Sequence, residues 1–331
     1  MIIGCLAGIS LYAQFSTPVR PDCGKYSTIQ FSDGTFSCER YATFPWFAAG
    51  QNWQSQVSLF VPPLDPVNGR ARGAAITTGI GPGANTSYLL GGAAGNYAVI
   101  RGSDAQILPS SNSVRLDLVD SVACANGNCA PDGNLAVGPL WASIDAPDVQ
   151  TLEATNMQLI FLSADAGGVY SRQVAVPPVF SDKSSGRWVS SFSETPTDQE
   201  AGSNASFMSF AVTNVSTVAQ TVTVSLYDQS GKLIVEKDTP MLPAGISGDV
   251  FLGNGQFANQ VIPGAVFPAV FKDFFALTRA QLSTEAAEAA LRSGSIDGTL
   301  VFRSSAGQPI APLVVRTVGA SVTLLLQTPL P

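Results

Sequence analysis

Four tryptophans, five cysteines and a scatter of carboxylates are the side chains in this 331-residue sequence that could do chemistry, and there is no histidine to serve them. Histidine is the commonest general base and neutral metal ligand. Its absence removes Ser-His-Asp triads, Cys-His dyads and imidazole-bound zinc. The acids Asp145, Asp148, Glu153, Glu194, Asp198 and Glu200 are dispersed. A glycosidase needs two carboxyls facing each other across a cleft, and no spacing here places such a pair. They read as solvated loop acids. Gly79-Ile80-Gly81-Pro82-Gly83 is glycine-rich, but no Gly-Lys-Ser/Thr follows it, so it reads as a loop and not as a phosphate cradle. No catalytic residue and no cofactor are expected, and the chain is read as a non-enzyme.

Binding chemistry fares better. Trp46, Trp53, Trp141 and Trp188 could stack on sugar rings, and Trp46 and Trp53 are the candidate ligand-face aromatics. The competing reading is core, since a tryptophan buries a large apolar area. Asn126, Asn128, Asp132 and Asn134 gather oxygen ligands in one turn-rich stretch, a calcium candidate whose spacing does not fit an EF-hand loop. A structural turn is the preferred reading there, and no metal site is expected. Asn85-Thr86-Ser87, Asn204-Ala205-Ser206 and Asn214-Val215-Ser216 are sequons that otherwise read as polar turns.

The elements that must position these residues are short strands. Apolar residues make up 45% of the chain and charged residues 12%, with 31 glycines and 22 prolines spread along it. That mixture suits many short strands joined by turns. A net charge of −7 without a basic cluster argues against nucleic acid and anionic membranes as partners.

Residues 2–14 form an apolar run ending in small residues, read as a signal peptide, whole or truncated, cleaved after Ala13 or Gln14; no Lys or Arg precedes Arg20 to form its positive region. Ile2-Ile3-Gly4-Cys5 also loosely fits a lipobox, and an N-terminal strand is the other alternative. No later run reaches the length of a membrane span. The expected location is secreted, extracellular or at the cell surface. Of the cysteines left, proximity favours Cys23–Cys38 and Cys124–Cys129 as disulfides. Asp33-Gly34 looks like a two-residue hairpin turn, which would set Cys38 opposite Ile29.

Two series of strand-like stretches follow. The first includes Gln54–Val61, Ala74–Thr78, Tyr97–Arg101, Val114–Val119, Met157–Ser163 and Val169–Val176. The second includes Trp188–Phe192, Phe207–Asn214, Thr221–Tyr227, Lys232–Glu236, Gly248–Leu252, Thr299–Ser304, Leu313–Val318 and Ser321–Gln327. Asp228-Gln229-Ser230-Gly231 supplies hairpin chemistry. Arg279–Arg292 reads as one surface helix, capped by Thr278 and stopped by Gly294. Residues 53–62 echo 207–216, and Leu159–Ser163 echoes Leu300–Ser304, as in a duplicated module.

Phe44-Pro45-Trp46-Phe47, the following Gly50-Gln51-Asn52-Trp53, and the strand Phe210–Ser216 leading to a hairpin through Leu233 resemble a group of secreted bacterial proteins built from paired immunoglobulin-like sandwiches. The resemblance covers 44–331 and rests on short structural motifs. The cysteine-bearing N-terminus and the Arg279–Arg292 helix depart from it. It implies a fold and no assigned chemistry.

The expectation is therefore an all-β chain: signal peptide 1–14, disulfide-bearing hairpin 15–43, and two antiparallel Ig-like β-sandwiches, 44–172 and 173–331, joined near Pro177-Pro178. Its expected function is a non-catalytic extracellular structural or interaction module of an adhesion-like kind, with surface or extracellular proteins or glycans as partners. The alternative is a carbohydrate-binding or carbohydrate-active secreted protein.

Overall fold

The computed structural model describes residues 20–30, 36–49, 53–60, 75–80, 99–101, 113–117, 136–146, 148–154, 156–164, 170–194, 206–247, 261–263, 266–275, 296–318, 321–325 and 327–330. They form an all-β, sandwich-like fold in which all strand pairings are antiparallel. The expected 1–14 signal segment, the Arg279–Arg292 helix and the Gly248–Leu252 strand lie outside the described residues.

Four sheets carry the fold. Sheet I runs in the order β1 (Ser27–Gln30), β2 (Phe36–Ala49), β7 (Ala136–Ala146), β4 (Ala75–Ile80), β5 (Val99–Arg101), with β10 (Val179–Phe180) also pairing β2. Sheet II is β6 (Ser113–Asp117), β3 (Trp53–Phe60), β8 (Asn156–Ala164), β9 (Tyr170–Val176). Sheet III is β17 (Val266–Val270), β12 (Ser206–Asn214), β19 (Ile310–Val318), β20 (Ser321–Leu325). Sheet IV is β14 (Leu233–Asp238), β13 (Val222–Asp228), β18 (Ile296–Ser304), β11 (Arg187–Glu194), β21 (Thr328–Pro329). A small ladder of β15 (Ile246–Ser247) and β16 (Val261–Ile262) stands apart.

The strand orders repeat. β2-β7-β4-β5 of sheet I corresponds to β11-β18-β13-β14 of sheet IV, and β6-β3-β8-β9 of sheet II to β17-β12-β19-β20 of sheet III. This corrects the sequence echo in two ways. The counterpart of β8 is β19, and not the β18 that Leu159–Ser163 seemed to match. The 53–62 echo does pair the right strands, β3 with β12, but its alignment is one residue off in facing. Val57 packs in the first core, whereas Met208, Phe210 and Val212 pack in the second. A shift of one residue exchanges the faces of a strand, which short similar strings cannot detect.

Two apolar clusters result. One joins Phe44, Phe47, Leu140 and Ile144 of sheet I to Val57, Leu159 and Phe161 of sheet II. The other joins Trp188, Val224, Leu300 and Phe302 of sheet IV to Met208, Phe210 and Val314 of sheet III. The short helix α2 (Phe271–Phe274) closes the second, its Phe271 and Phe274 rings packing on Phe210 at 4.6 and 5.2 Å between centroids. Sheet III is apolar on both faces, because Ala211 and Leu313 reach into the first cluster.

β7, the central strand of sheet I, was not anticipated. Gly138-Pro139 interrupts its apolar pattern, and proline is expected only at edges or bulges. The ladder explains it: pairing with β2 shifts register between Phe44 and Phe47, so Pro45 and Pro139 sit where regular hydrogen bonding is already broken.

The N-terminal hairpin also differs from expectation. Gln30 pairs with Phe36 and Thr28, not Ile29, lies opposite Cys38. The expected turn at Asp33-Gly34 lies outside the described residues. β2 then continues unbroken to Ala49, so hairpin and sheet I share one strand. The expected division at 172/173 falls inside β9, which pairs with β8 along its length, and β10 beyond Pro177-Pro178 still pairs with β2. The chain leaves the first two sheets through the 3-10 turn Ser181–Lys183.

Candidate functional site

The first core and the outer face of sheet III do not close on each other completely. Between them lies a cavity of about 340 Å³. The first two sheets contribute Trp46 and Ala48 from β2, Trp53 from β3, and Phe161 and Ser163 from β8. Sheet III contributes Phe207 and Ser209 from β12 with Leu313, Val315 and Thr317 from β19.

Register explains why the space exists. Trp53 stands opposite Ser163 on the β3–β8 ladder, and Phe207 opposite Thr317 on the β12–β19 ladder. Each cross-strand pair sets one large ring beside one small hydroxyl. Ser209 stands opposite Val315, a small hydroxyl beside a short aliphatic side chain. Small residues at facing positions leave a gap where protein interiors otherwise pack tightly. Ala48 is held in place by its neighbour: its N–H donates to Ser55 Oγ at 3.0 Å, and that hydroxyl donates to the Ala48 carbonyl at 2.7 Å.

Trp46 and Trp53, singled out in the sequence, are thus brought together on one cavity and both remain half-buried. Trp141 and Trp188 are core residues, 0% and 5% exposed. The Trp188 Nε1–H is shared between the carbonyls of Ser185 and Ile310, at 2.9 Å each. Nothing in the sequence marked Phe161, Ser163, Phe207, Ser209 or Thr317, because a strand's alternate residues reveal which share a face but not which second sheet meets that face.

The lining decides what chemistry the cavity offers. Beside its rings and aliphatic groups stand the Ser163, Ser209 and Thr317 hydroxyls and the Gln173 amide, and none of the described lining side chains is ionisable. Such a lining offers apolar contact and a few neutral hydrogen-bonding groups. A sugar held there would leave several hydroxyls short of partners, at about 1–3 kcal/mol for each one buried unpaired.

The acids have separate fates. Asp148 caps the short helix α1 (Val149–Ala154), accepting from the Thr151 N–H at 2.8 Å. Glu153 accepts the Tyr26 hydroxyl at 2.8 Å. Asp145 lies within β7, while Asp198 and Glu200 are outside the described residues. Glu194 is the correction to the solvated-acid reading. It is 4% exposed at the end of β11, and burial pushes its carboxyl up to about 7 against the lowering effects of the Met208 N–H, Lys272 and Arg316. Alternation places it on the core face with Trp188 and Phe192, which a lone Glu at a strand end does not announce.

Cys23 and Cys38 are disulfide-bonded and buried. Cys124 and Cys129, with Asn126, Asn128, Asp132 and Asn134, lie outside the described residues. Among the described residues no His/Cys/Asp/Glu group could hold a metal ion. The Asn214 sequon is structural: Asn214 is 0% exposed, and its side-chain amide donates to the carbonyls of Val218 at 2.7 Å and Pro243 at 3.0 Å.

No family model matches the chain, and no curated protein matches it. Among solved structures, the crystal structure of the infectious bursal disease virus VP2 subviral particle aligns over 95% of this chain and 79% of that one, at 10% identity and a TM-score of 0.16. A likeness at that level carries no argument about fold or function. Among the described residues no helix is long and apolar enough to cross a membrane.

Proposed function

We propose that this chain is a non-catalytic extracellular interaction module made of two immunoglobulin-like β-sandwiches. The first would comprise sheets I and II with the N-terminal hairpin, the second sheets III and IV, joined at residues 181–186. The repeated strand order supports the pairing of modules. The disulfide supports an oxidising compartment. The observation that carries the binding role is the cavity between the modules, lined by Trp46, Trp53 and neutral neighbours. Ligand pockets of this size favour domain interfaces.

Carbohydrate binding is the second reading, favoured by two half-buried tryptophans on one cavity. A glycan array combined with intrinsic tryptophan fluorescence separates the two. The module reading expects no turnover of glycosides and no sugar-dependent spectral shift. A saturable shift abolished by Trp46→Ala or Trp53→Ala moves the function to carbohydrate recognition, and glycoside hydrolysis removes the module reading.

A further inference from the structure

We infer that the cavity between sheet III and the first core is a binding site for a neutral, aliphatic small molecule. The inference rests on the binding role proposed above and names its ligand class. Three observations point to it. The first is size: about 340 Å³ lies in the range of small-molecule sites. The second is charge: the lining offers rings, aliphatic groups, three hydroxyls and one amide, so it rewards neither an anion nor a cation. The third is the placement of polar atoms. Ser163, Ser209 and Thr317 lie on strands whose neighbouring lining residues are Phe161, Phe207 and Val315, so each hydroxyl is an isolated point in an apolar wall.

Water in such a space has few partners, and an apolar group that displaces poorly ordered water gains affinity. A chain with one terminal hydroxyl matches the wall: hydrocarbon against Trp46, Phe161, Phe207 and Leu313, and its single polar end on a hydroxyl or on Gln173. A pyranose does not match, having polar groups on every side.

The test uses the full chain with 1-dodecanol, read by displacement of the neutral fluorescent probe N-phenyl-1-naphthylamine and by tryptophan emission. The expected result is saturable displacement at one site per chain, weakened at least tenfold by Ser209→Leu, which fills the cavity from sheet III. Ala48→Val fills it from the opposite wall and is the second variant should Ser209→Leu fail to fold, judged by circular dichroism. Phosphatidylcholine vesicles form a separate arm, in which the protein is expected to stay in the supernatant. Displacement unaffected by either filling variant, no displacement, or sedimentation with vesicles without displacement by free dodecanol each overturns the inference. These results leave the module reading standing, whereas glycoside turnover would remove that reading whatever dodecanol does.

Discussion

Arg40 and Asp182 meet at 2.9 Å across 142 residues of chain, with side chains only 6% and 8% exposed. The guanidinium also lies 3.5 Å from the centroid of the Phe180 ring. One partner belongs to β2 and the other to the turn through which the chain leaves the first sheets, so the pair fixes where the second half begins. Lys25, two residues from the disulfide, adds a contact to Asp182 at 3.0 Å.

Removing one member strands a buried charge, a cost of about 3 kcal/mol or more. Asp182→Asn is expected to lower the unfolding free energy by that amount, read from guanidinium chloride denaturation, and to expose the 181–186 link to proteases. Burial alone would raise the Asp182 carboxyl, but hydrogen bonds from Arg40 and Lys25 outweigh it and hold the group below the usual range. Its stabilisation is present above the ordinary carboxylate pKa and is lost as pH falls through the depressed one. The difference between wild type and Asp182→Asn should therefore shrink below about pH 4.

Glu194 acts in the opposite sense. Its carboxyl sits near 7 when folded against 4.5 as the ordinary value, so the folded chain binds the extra proton between those limits. Stability should fall as pH rises from 4.5 to 7, by about 3 kcal/mol once both limits are passed. Glu194→Gln is expected to stabilise at pH 8 and to change little at pH 4, read from denaturant midpoints. Glu194 Oε2 and Arg316 Nε are both buried without a hydrogen-bond partner among the described residues, which is why the charged form has little to gain.

Reduction of Cys23–Cys38 is expected to cost about 3 kcal/mol, the chain-entropy value for a loop of this separation. Because β2 continues into sheet I, the loss should be confined to residues 20–30, leaving β2 protected. Hydrogen exchange with and without reductant measures this. Protection lost across all of β2 would contradict it.

Gly298 is paired with Asp228 beside the register shift at Leu226/Tyr227. A Cβ added there would lie 1.9 Å from the Tyr227 carbonyl oxygen, a backbone atom that cannot rotate away. Gly298→Ala is expected to cost about 3 kcal/mol by overpacking. Thermal unfolding of the variant against Gly231→Ala, a position at φ +83° with open space around it, separates contact from backbone strain.

The sequence made the strands legible and left their partners hidden. Thr221–Tyr227 alternates because one face is buried, and it lies at Val222–Asp228 with the Asp228–Gly231 turn beside it. Every residue from Ile310 to Val314 is buried, so β19 shows no alternation and its role as the twin of β8 was invisible. β7 was hidden by Pro139, whose tolerance depends on the register shift at Phe44–Phe47, about ninety residues away in sequence. Trp46 and Trp53 could be named because tryptophan is rare and chemically distinctive. The serines that make room between them and sheet III could not, since a serine in a strand looks the same beside a cavity or beside solvent.

The two-faced character of sheet III bears on how the chain is made. A ribosome delivers β2, β3 and β8 well before β12 and β19. Until then Trp46, Phe161 and Val174 have no covering layer, and the first sheets present an oily flank to whatever is nearby. A nascent chain stalled before residue 206 should consequently recruit holding chaperones or self-associate, whereas one released after β20 should not. The order of synthesis thus leaves a window of stickiness that closes only when the latter half arrives.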